Sequence, residues 1–264
     1  MEQYQKIRKE MYRVQLTRWA DLINIKSPYT LVKAAYYIET ASLFLFLTQN
    51  IIRSPNFITV LYAITGIVGA FLLNSEQNTF FYLGIFMVFT RGTFDWADGP
   101  LARRLNKASF IGGTLDSYGA HVSDVAFRMA FVYYTLGYFP ELMFLFPVLS
   151  FVLVVTDFRL YSDSQYLKVM LDTNKNKIRD GVYEDDVLSG NNSDNNLKKW
   201  YFRYISFLDD RSRSVDSLLL ILMMDFIFDY DLSTLLLAVS VFIILRTIVM
   251  YVAGVYFVFK VYKE

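Results

Sequence analysis

Three aspartates and an arginine lie close together in the middle of this chain, within the segment 95–116. Asp95 and Asp98 are three residues apart, which on a helix places both carboxylates on one side, a turn from each other. Two carboxylates on one face suit a divalent cation such as Mg²⁺, which proteins usually hold by one or two carboxylates together with substrate phosphates. Arg103 adds a planar guanidinium that matches phosphate oxygens. These residue types favour chemistry on a metal-bound phosphate.

Small residues accompany these charged groups. Gly99 and Ala102 remove side-chain bulk, so a phosphate or another backbone can approach closely. Charge at membrane depth is costly, and an ionisable cluster within apolar sequence is by default a candidate functional site. A purely structural polar network between helices is the alternative interpretation of the same aspartates.

The segment resembles a known family. The pattern D-x-x-D-G-x-x-A-R, eight residues, then G-x-x-x-D-x-x-x-D is the signature of the CDP-alcohol phosphotransferases. The chain matches every fixed position of the pattern except the last: Asp95, Asp98, Gly99, Ala102, Arg103, Gly112 and Asp116. The last aspartate of the pattern is replaced by Ala120.

The resemblance implies the roles of these residues. Mg²⁺ or Mn²⁺, as one or two ions, would be bound by Asp95, Asp98 and Asp116. The CDP-linked donor would lie against the following residues: Asp98, Gly99, Ala102, Arg103 and Gly112. An acceptor hydroxyl would attack the β-phosphorus of the donor and release CMP. Arg211 and Arg213 fall where many family members hold a phosphorylated acceptor, although they also fit as ordinary positive anchors at the membrane surface.

The missing last aspartate leaves the general base open. Asp124 lies eight residues after Asp116, which on a helix means a rotation of about 80° and a distance of about 12 Å. His121 would be rotated by about 140° from Asp116, so it is the alternative only if the helix bulges at 119–120. Asp124 could instead form an ion pair with Arg128, one turn further on. An altered or lost reaction is a third possibility.

Two arginines fall inside predicted spans. An uncompensated Arg128 or Arg246 would be costly at that depth. Asp225 and Asp124 lie at comparable depth, so structural pairing is favoured over contact with substrate.

The composition is that of a membrane protein. Of the 264 residues, 55% are hydrophobic and 18% aromatic, and the mean hydropathy is +0.31; this apolar share exceeds that of ordinary soluble domains. The net charge of +1 and the lack of basic-aromatic interleaving give no indication of nucleic-acid binding. The absence of cysteine excludes disulfides and thiol catalysis.

Apolar runs predict an all-α integral membrane protein with six transmembrane helices. The second run is too short to cross alone and is predicted to continue as one helix through Asp95. The spans cover residues 57–73, 80–90 with that continuation, 111–135, 142–156, 215–228 and 232–260.

The charges of the connecting segments predict the orientation. The three short loops 74–79, 137–141 and 229–233 contain no Lys or Arg, so they are assigned to the outer side. Both termini and the active site then face the cytoplasm, in the cell or inner membrane if the source is bacterial. Residues 27–50 predict an interfacial helix along the cytoplasmic leaflet, or a short buried helix.

The predicted organisation has two parts. Residues 1–53 form an N-terminal cytoplasmic and interfacial helical segment, and residues 54–264 form the transmembrane phosphotransferase domain with a polar cytoplasmic insert at 157–214. The predicted donor is CDP-diacylglycerol or a small CDP-alcohol, the acceptor is an alcohol, the lipid bilayer is the surrounding partner, and a homodimer is left open. The competing class is a non-catalytic membrane protein that keeps the fold and a metal or nucleotide site.

Overall fold

A computed structural model describes residues 2–23, 28–48, 51–156, 211–228 and 231–263, without the side chains of residues 2, 14–23, 28–31, 110, 211–214, 250 and 253–263. Within these ranges every regular element is helical and no strand occurs, which confirms the all-α prediction. The helices are α1 (Glu2–Ile23), α2 (Pro28–Thr48), α3 (Pro55–Leu72), α4 (Asn78–Thr90), α5 (Gly92–Arg104), α6 (Phe110–Gly137), a 3₁₀ turn (Pro140–Leu145) leading into α7 (146–156), α8 (Arg211–Phe228) and α9 (Ser233–Lys263).

One helix in the described ranges, Pro55–Leu72, is long and apolar enough to cross a membrane. Two shorter apolar stretches are helical, Pro140–Thr156 and Ser233–Val249. The six spans and the orientation therefore stay predictions. The polar insert at 157–214 lies outside the described residues, except for residues 211–214 at the start of α8.

The predicted second span is divided in two. Helices α4 and α5 meet at Arg91, whose φ and ψ of −52° and −36° are still helical. The N–H of Phe94 donates to the carbonyl of Arg91, a bond to the third residue back, so the backbone tightens there into a 3₁₀-type turn. The motif therefore has a short helix of its own.

The described chain falls into two compact units. Of the described residues, those within 1–68 and 86–123 form the first unit, and those within 69–85 and 124–264 form the second. The first unit contains the whole of α5 and the start of α6, and with them the acidic motif.

The core of the first unit joins the N-terminal helices to the motif helix. Helices α1, α2, α3 and α5 contribute to one buried cluster, made of Ile7, Met11, Ile38, Ala41, Leu45, Ile58, Ala97 and Leu101. Ala97 and Leu101 are one turn apart, so they define the core-facing side of α5. The predicted boundary near residue 53 stays a prediction.

The carboxylate of Glu39 on α2 binds three side chains of α1. Tyr4, Arg8 and Tyr12 follow one another at intervals of one turn on α1, and all three bind this carboxylate. The phenol groups donate at 3.1 and 2.8 Å, and the Arg8 Nε donates at 2.7 Å. The Arg8 guanidinium is the main cause that lowers the pKa of Glu39, to about 2. The hydrogen bonds from the two phenols also lower this pKa, whereas burial raises it.

Helix α2 also packs on the junction between α4 and α5. The buried Tyr37 donates a hydrogen bond to the carbonyl of Phe89 at 3.0 Å. The hydroxyls of Thr40 and Thr93 lie 2.9 Å apart. A Cβ at Gly92 would lie 2.6 Å from Cζ of Tyr37, so the tyrosine ring occupies the space that the missing side chain leaves. Helix α2 thus fixes the first turn of α5. The helix predicted at 27–50 is confirmed as a helix over Pro28–Thr48, and it has one buried face.

A buried carboxylate organises the second unit. Asp225 accepts hydrogen bonds from the hydroxyls of Tyr134 and Tyr138 at 2.8 and 2.6 Å, and from the N–H of Leu232 at 3.3 Å. Phe226, the next residue, stacks on Phe81 with ring centroids 3.8 Å apart. Neutral donors on α6 and at the entry to α9 therefore surround this aspartate, which the sequence analysis considered as a partner for arginine.

Candidate functional site

Helix α5 carries the acidic motif and ends abruptly after its arginines. Asn106 has a φ of 52°, a left-handed conformation that asparagine tolerates better than most residues. The N–H of Lys107 donates to the carbonyl of Ala102 and the N–H of Asn106 to that of Arg103, which together form a Schellman motif. The Lys107 ammonium then donates to the carbonyl of Arg53 at 3.0 Å, so the loop after α5 is attached to the entry of α3.

Helix α6 begins with a capped turn that brings Gly112 next to α3. Ser109 is the N-cap, and its hydroxyl accepts the N–H of Gly112 at 3.1 Å. A Cβ at Gly112 would lie 3.4 Å from Oδ1 of Asn56, so the glycine permits close approach of the two chain segments. The role of Gly112 in binding substrate stays a prediction.

Asp98 is the most firmly held of the motif carboxylates. It is buried and accepts a hydrogen bond from the hydroxyl of Thr59 on α3 at 2.7 Å. The backbone N–H of Gly99 also donates to it. These two donors fix the orientation of the carboxylate on the side of α5 that faces α3.

The three predicted metal ligands lie close together. The carboxyl groups of Asp95 and Asp116 are within hydrogen-bonding range of each other, and both interact electrostatically with Asp98. Among the described residues, however, no group of three or more Asp, Glu, His or Cys side chains is placed so that it could hold a metal ion. The role of these three aspartates as metal ligands therefore stays a prediction.

The donor set nevertheless fits a hard divalent cation. Each of the three side chains offers carboxylate oxygens, the ligand type that Mg²⁺ and Mn²⁺ prefer. Their mutual repulsion makes a cation between them favourable.

Arg103 lies at the end of α5, on the side of Gly99. Its Nη1 would be 3.5 Å from a Cβ at Gly99, and its positive charge reaches Asp98. The side chain is exposed, so its guanidinium is accessible to an anionic ligand. Ala102, next to it, is only partly buried, which keeps the surface beside the guanidinium open.

The candidates for the general base lie further along α6. The helix is regular from Phe110 to Gly137, so the bulge that would turn His121 toward Asp116 does not form. His121 and Asp124 are both buried, as is Arg128 one turn beyond Asp124. Arg211 and Arg213 are in the first turn of α8, and their side chains lie outside the described residues.

Arg91 is a residue that the sequence analysis missed. It is buried, precedes Asp95 by one turn, and its Nη1 donates a hydrogen bond to the hydroxyl of Ser123. The available signal was an arginine at the end of the apolar run 79–90, four residues before the motif, a spacing that places both side chains on one face.

Residues 52–179 match the family model described as CDP-alcohol phosphatidyltransferase. Over this segment the chain is similar to the CDP-alcohol phosphatidyltransferase family. The match confirms the resemblance carried by the motif. No curated protein and no solved structure matches the chain.

The matched family model implies a coarse function. CDP-alcohol phosphatidyltransferases are transferases of substituted phosphate groups that move a phosphoalcohol group from a CDP-alcohol. The matched segment contains all seven motif positions and the whole of α3, α4, α5 and α6. The family is typically embedded in membranes and generally uses divalent metals.

Proposed function

We propose that this protein transfers a phosphoalcohol or phosphatidyl group from a CDP-linked donor to an acceptor hydroxyl, with release of CMP. The observation that carries the proposal is the match of residues 52–179 to the family model, a segment that contains Asp95, Asp98 and Asp116. The donor is CDP-diacylglycerol or a small CDP-alcohol, and the product is a phospholipid or a related glycolipid.

Asp95, Asp98 and Asp116 would hold Mg²⁺ or Mn²⁺, and Thr59 would keep Asp98 in its orientation. When bound, the metal neutralises charge on the pyrophosphate oxygens. Arg103 would contact the same pyrophosphate, because its guanidinium is exposed beside the small residues Gly99 and Ala102. Fixed charges of this kind are usually the main contribution to catalysis.

The reaction balances as one substitution at phosphorus. The acceptor oxygen forms a bond to the β-phosphorus, the bond from that phosphorus to the bridging oxygen breaks, and CMP leaves with this oxygen. The proton of the acceptor hydroxyl passes to a general base, for which we propose Asp124; His121 would need the bulge that α6 does not have. Asp124 is two turns beyond Asp116 on the same helix, and no carboxylate is present at Ala120.

The test is release of CMP by the full-length protein, purified in detergent, from a panel of CDP-linked donors with Mg²⁺ or Mn²⁺. Asp98→Asn should abolish the release and also the gain in melting temperature on adding Mn²⁺, since binding to the native state stabilises by mass action. Glu76→Gln is the matched control, because that carboxylate is exposed and lies outside the motif. An Asp98→Asn protein that still gains melting temperature with Mn²⁺ would contradict the metal assignment.

A second candidate function is favoured by Ala120. A non-catalytic protein could keep the fold and a metal or nucleotide site. Such a protein would be expected to lose the last aspartate of the pattern, as this chain has. This protein would gain melting temperature with Mn²⁺ and CDP-linked ligands but would release no CMP from any donor.

A further inference from the structure

A stripe of exposed basic residues runs along α1. Ile7 and Met11 are 1% and 2% exposed and belong to the core. Lys9 is two residues from each of them, which on a helix is about half a turn away. Lys6 and Arg13 lie on the same side as Lys9, and all three side chains are exposed. The face of α1 opposite the core is therefore positively charged over two turns, and Lys6, Lys9 and Arg13 form what we call the basic stripe.

Contacts with α5 fix the place of α1 in the fold. The buried residues of α1 share one core cluster with Ala97 and Leu101 of α5. Glu10 of α1 has its Oε2 3.9 Å from Nε of Arg104, the last residue of α5. Helix α1 therefore lies beside the second half of α5, within the same compact unit.

The thickness of a bilayer places this half of α5 at a membrane surface. A helix needs about 20 residues to cross the hydrocarbon layer, whereas α4 has 13 residues. A count of about 20 residues from Asn78, where α4 begins, ends inside α5 near Ala97. In the predicted orientation α4 begins on the outer side. This orientation then places α1 at the cytoplasmic surface, at the level of the lipid headgroups.

Helix α2, which packs along α1, exposes an apolar stripe. Val32, Leu43 and Leu47 are 70%, 50% and 63% exposed. They are separated by eleven and by four residues, so they share one face of the helix. Exposed apolar side chains in such a row mark a surface that contacts a membrane or another protein. Apolar and basic faces together are typical of helices that lie in the membrane interface, and the α1–α2 pair has both.

Charge complementarity selects the partner of the basic stripe. Anionic lipids give the cytoplasmic leaflet a negative surface potential, which attracts clusters of Lys and Arg beside a membrane-spanning helix. Two further basic residues lie at this end of the unit, where the Lys107 ammonium donates to the carbonyl of Arg53 just before α3.

We infer that the basic stripe of α1 binds the headgroups of anionic phospholipids in the cytoplasmic leaflet. The inference rests on the predicted membrane orientation and is independent of the transferase activity.

The first experiment measures melting temperatures of the full-length protein in mixed micelles with phosphatidylcholine or phosphatidylglycerol. A ligand that binds the native state raises its melting temperature, and each cation at an anionic surface strengthens binding by about fivefold. The wild type should melt roughly 4 °C higher with phosphatidylglycerol than with phosphatidylcholine. The triple variant Lys6→Gln, Lys9→Gln, Arg13→Gln should lose at least about half of this difference, and high salt should reduce the difference in the wild type.

The matched control keeps the charges. The triple variant Lys6→Arg, Lys9→Arg, Arg13→Lys should retain the full difference between the two lipids, because attraction to an anionic surface depends on charge. If the triple glutamine variant does not fold, Lys9→Gln alone decides, and it should lose a smaller part of the difference.

A second experiment tests direct contact between the stripe and the lipid. The chain has no cysteine, so Gln5→Cys, at an exposed position next to Lys6, can carry a single fluorophore. In vesicles, a nitroxide on the headgroup of phosphatidylglycerol should quench this fluorophore at least about twofold more than the same nitroxide on phosphatidylcholine. The preference should disappear in the triple glutamine variant.

An equal difference in melting temperature in the wild type and the glutamine variants would overturn the inference, and so would equal quenching by the two lipids. A larger gain in melting temperature with soluble polyglutamate than with phosphatidylglycerol would indicate an acidic protein partner and would also overturn it. CMP release in phosphatidylcholine micelles tests the proposed function separately. A protein that releases no CMP but shows the stripe-dependent preference for phosphatidylglycerol supports the inference and contradicts the transferase assignment.

Discussion

The contact between Gly92 and Tyr37 predicts a large effect from a single methyl group. A Cβ at Gly92 would lie 2.6 Å from Cζ, 2.8 Å from Cε1 and 2.9 Å from the hydroxyl of Tyr37. All three distances are too short for van der Waals contact, so Gly92→Ala must displace the ring. The ring is buried, and its hydroxyl donates to the carbonyl of Phe89, so the displacement also breaks this hydrogen bond.

The cost can be estimated from these contacts. Overpacking of a buried site costs about 1–3 kcal/mol, and the lost hydrogen bond about 1 kcal/mol. Alanine is favoured over glycine in a helix by about 0.5–1 kcal/mol, which offsets part of the loss. The expected net destabilisation is about 2 kcal/mol, equivalent to roughly 4–8 °C in melting temperature for a chain of this size.

The assay is a double-mutant cycle followed by thermal unfolding in detergent. In a Tyr37→Leu background the three clashing atoms are absent, so Gly92→Ala should stabilise the protein by about 0.5–1 kcal/mol, which gives a coupling energy of about 3 kcal/mol. Gly137→Ala is the matched control, because nothing lies within 4 Å of a Cβ at the end of α6. An equal cost of Gly92→Ala in both backgrounds would refute the packing argument.

Three further predictions concern the contact of Glu39 on α2 with α1, the general base and the membrane orientation. The pKa of Glu39 is lowered to about 2 from 4.5, mainly by Arg8, so the contribution of this carboxylate to stability is complete above about pH 4.5 and is lost as the pH falls toward 2. The difference in melting temperature between wild type and Glu39→Gln should therefore shrink over that interval. A difference that stays constant would contradict this. Asp124→Asn should slow CMP release by about 10²–10⁴-fold if Asp124 is the base, and His121→Ala should slow it less. A larger loss of rate from His121→Ala than from Asp124→Asn would contradict the assignment. A loss of stability in Asp124→Asn that is recovered by adding Arg128→Gln would indicate an ion pair instead. Single cysteines in the loops predicted to be external should be labelled from outside by an impermeant thiol reagent. A cysteine in the insert should be labelled only after the membrane is breached. Labelling of the insert from outside would contradict the predicted orientation. These cysteines replace Ser75, Glu141, Ser233 and, in the insert, Ser193.

The sequence by itself indicated the resemblance to the family, the helical class and the identity of the motif residues. These properties depend on local spacing, which the chain fixes directly. Asp95 and Asp98 fall on one face of α5 because they are three residues apart in a helix. Asp116 could be placed beside them because the pattern of seven positions was matched as a whole.

The sequence was less informative where two helices must meet. The division of the second apolar run at Arg91 was not predicted, since the backbone stays almost helical and only one hydrogen bond tightens. The regular course of α6 was likewise open until the structure showed helix through 119–120.

Only the tertiary structure decided which distant residues share a contact. Tyr37 fills the space at Gly92, Thr59 orients Asp98, and Arg91 reaches Ser123. Each of these pairs is separated by more than thirty residues, and helical periodicity says which face a residue occupies but not which helix packs against it. The partners of a buried polar group follow from the path of the chain and the need to satisfy every buried charge and hydrogen-bonding atom at once.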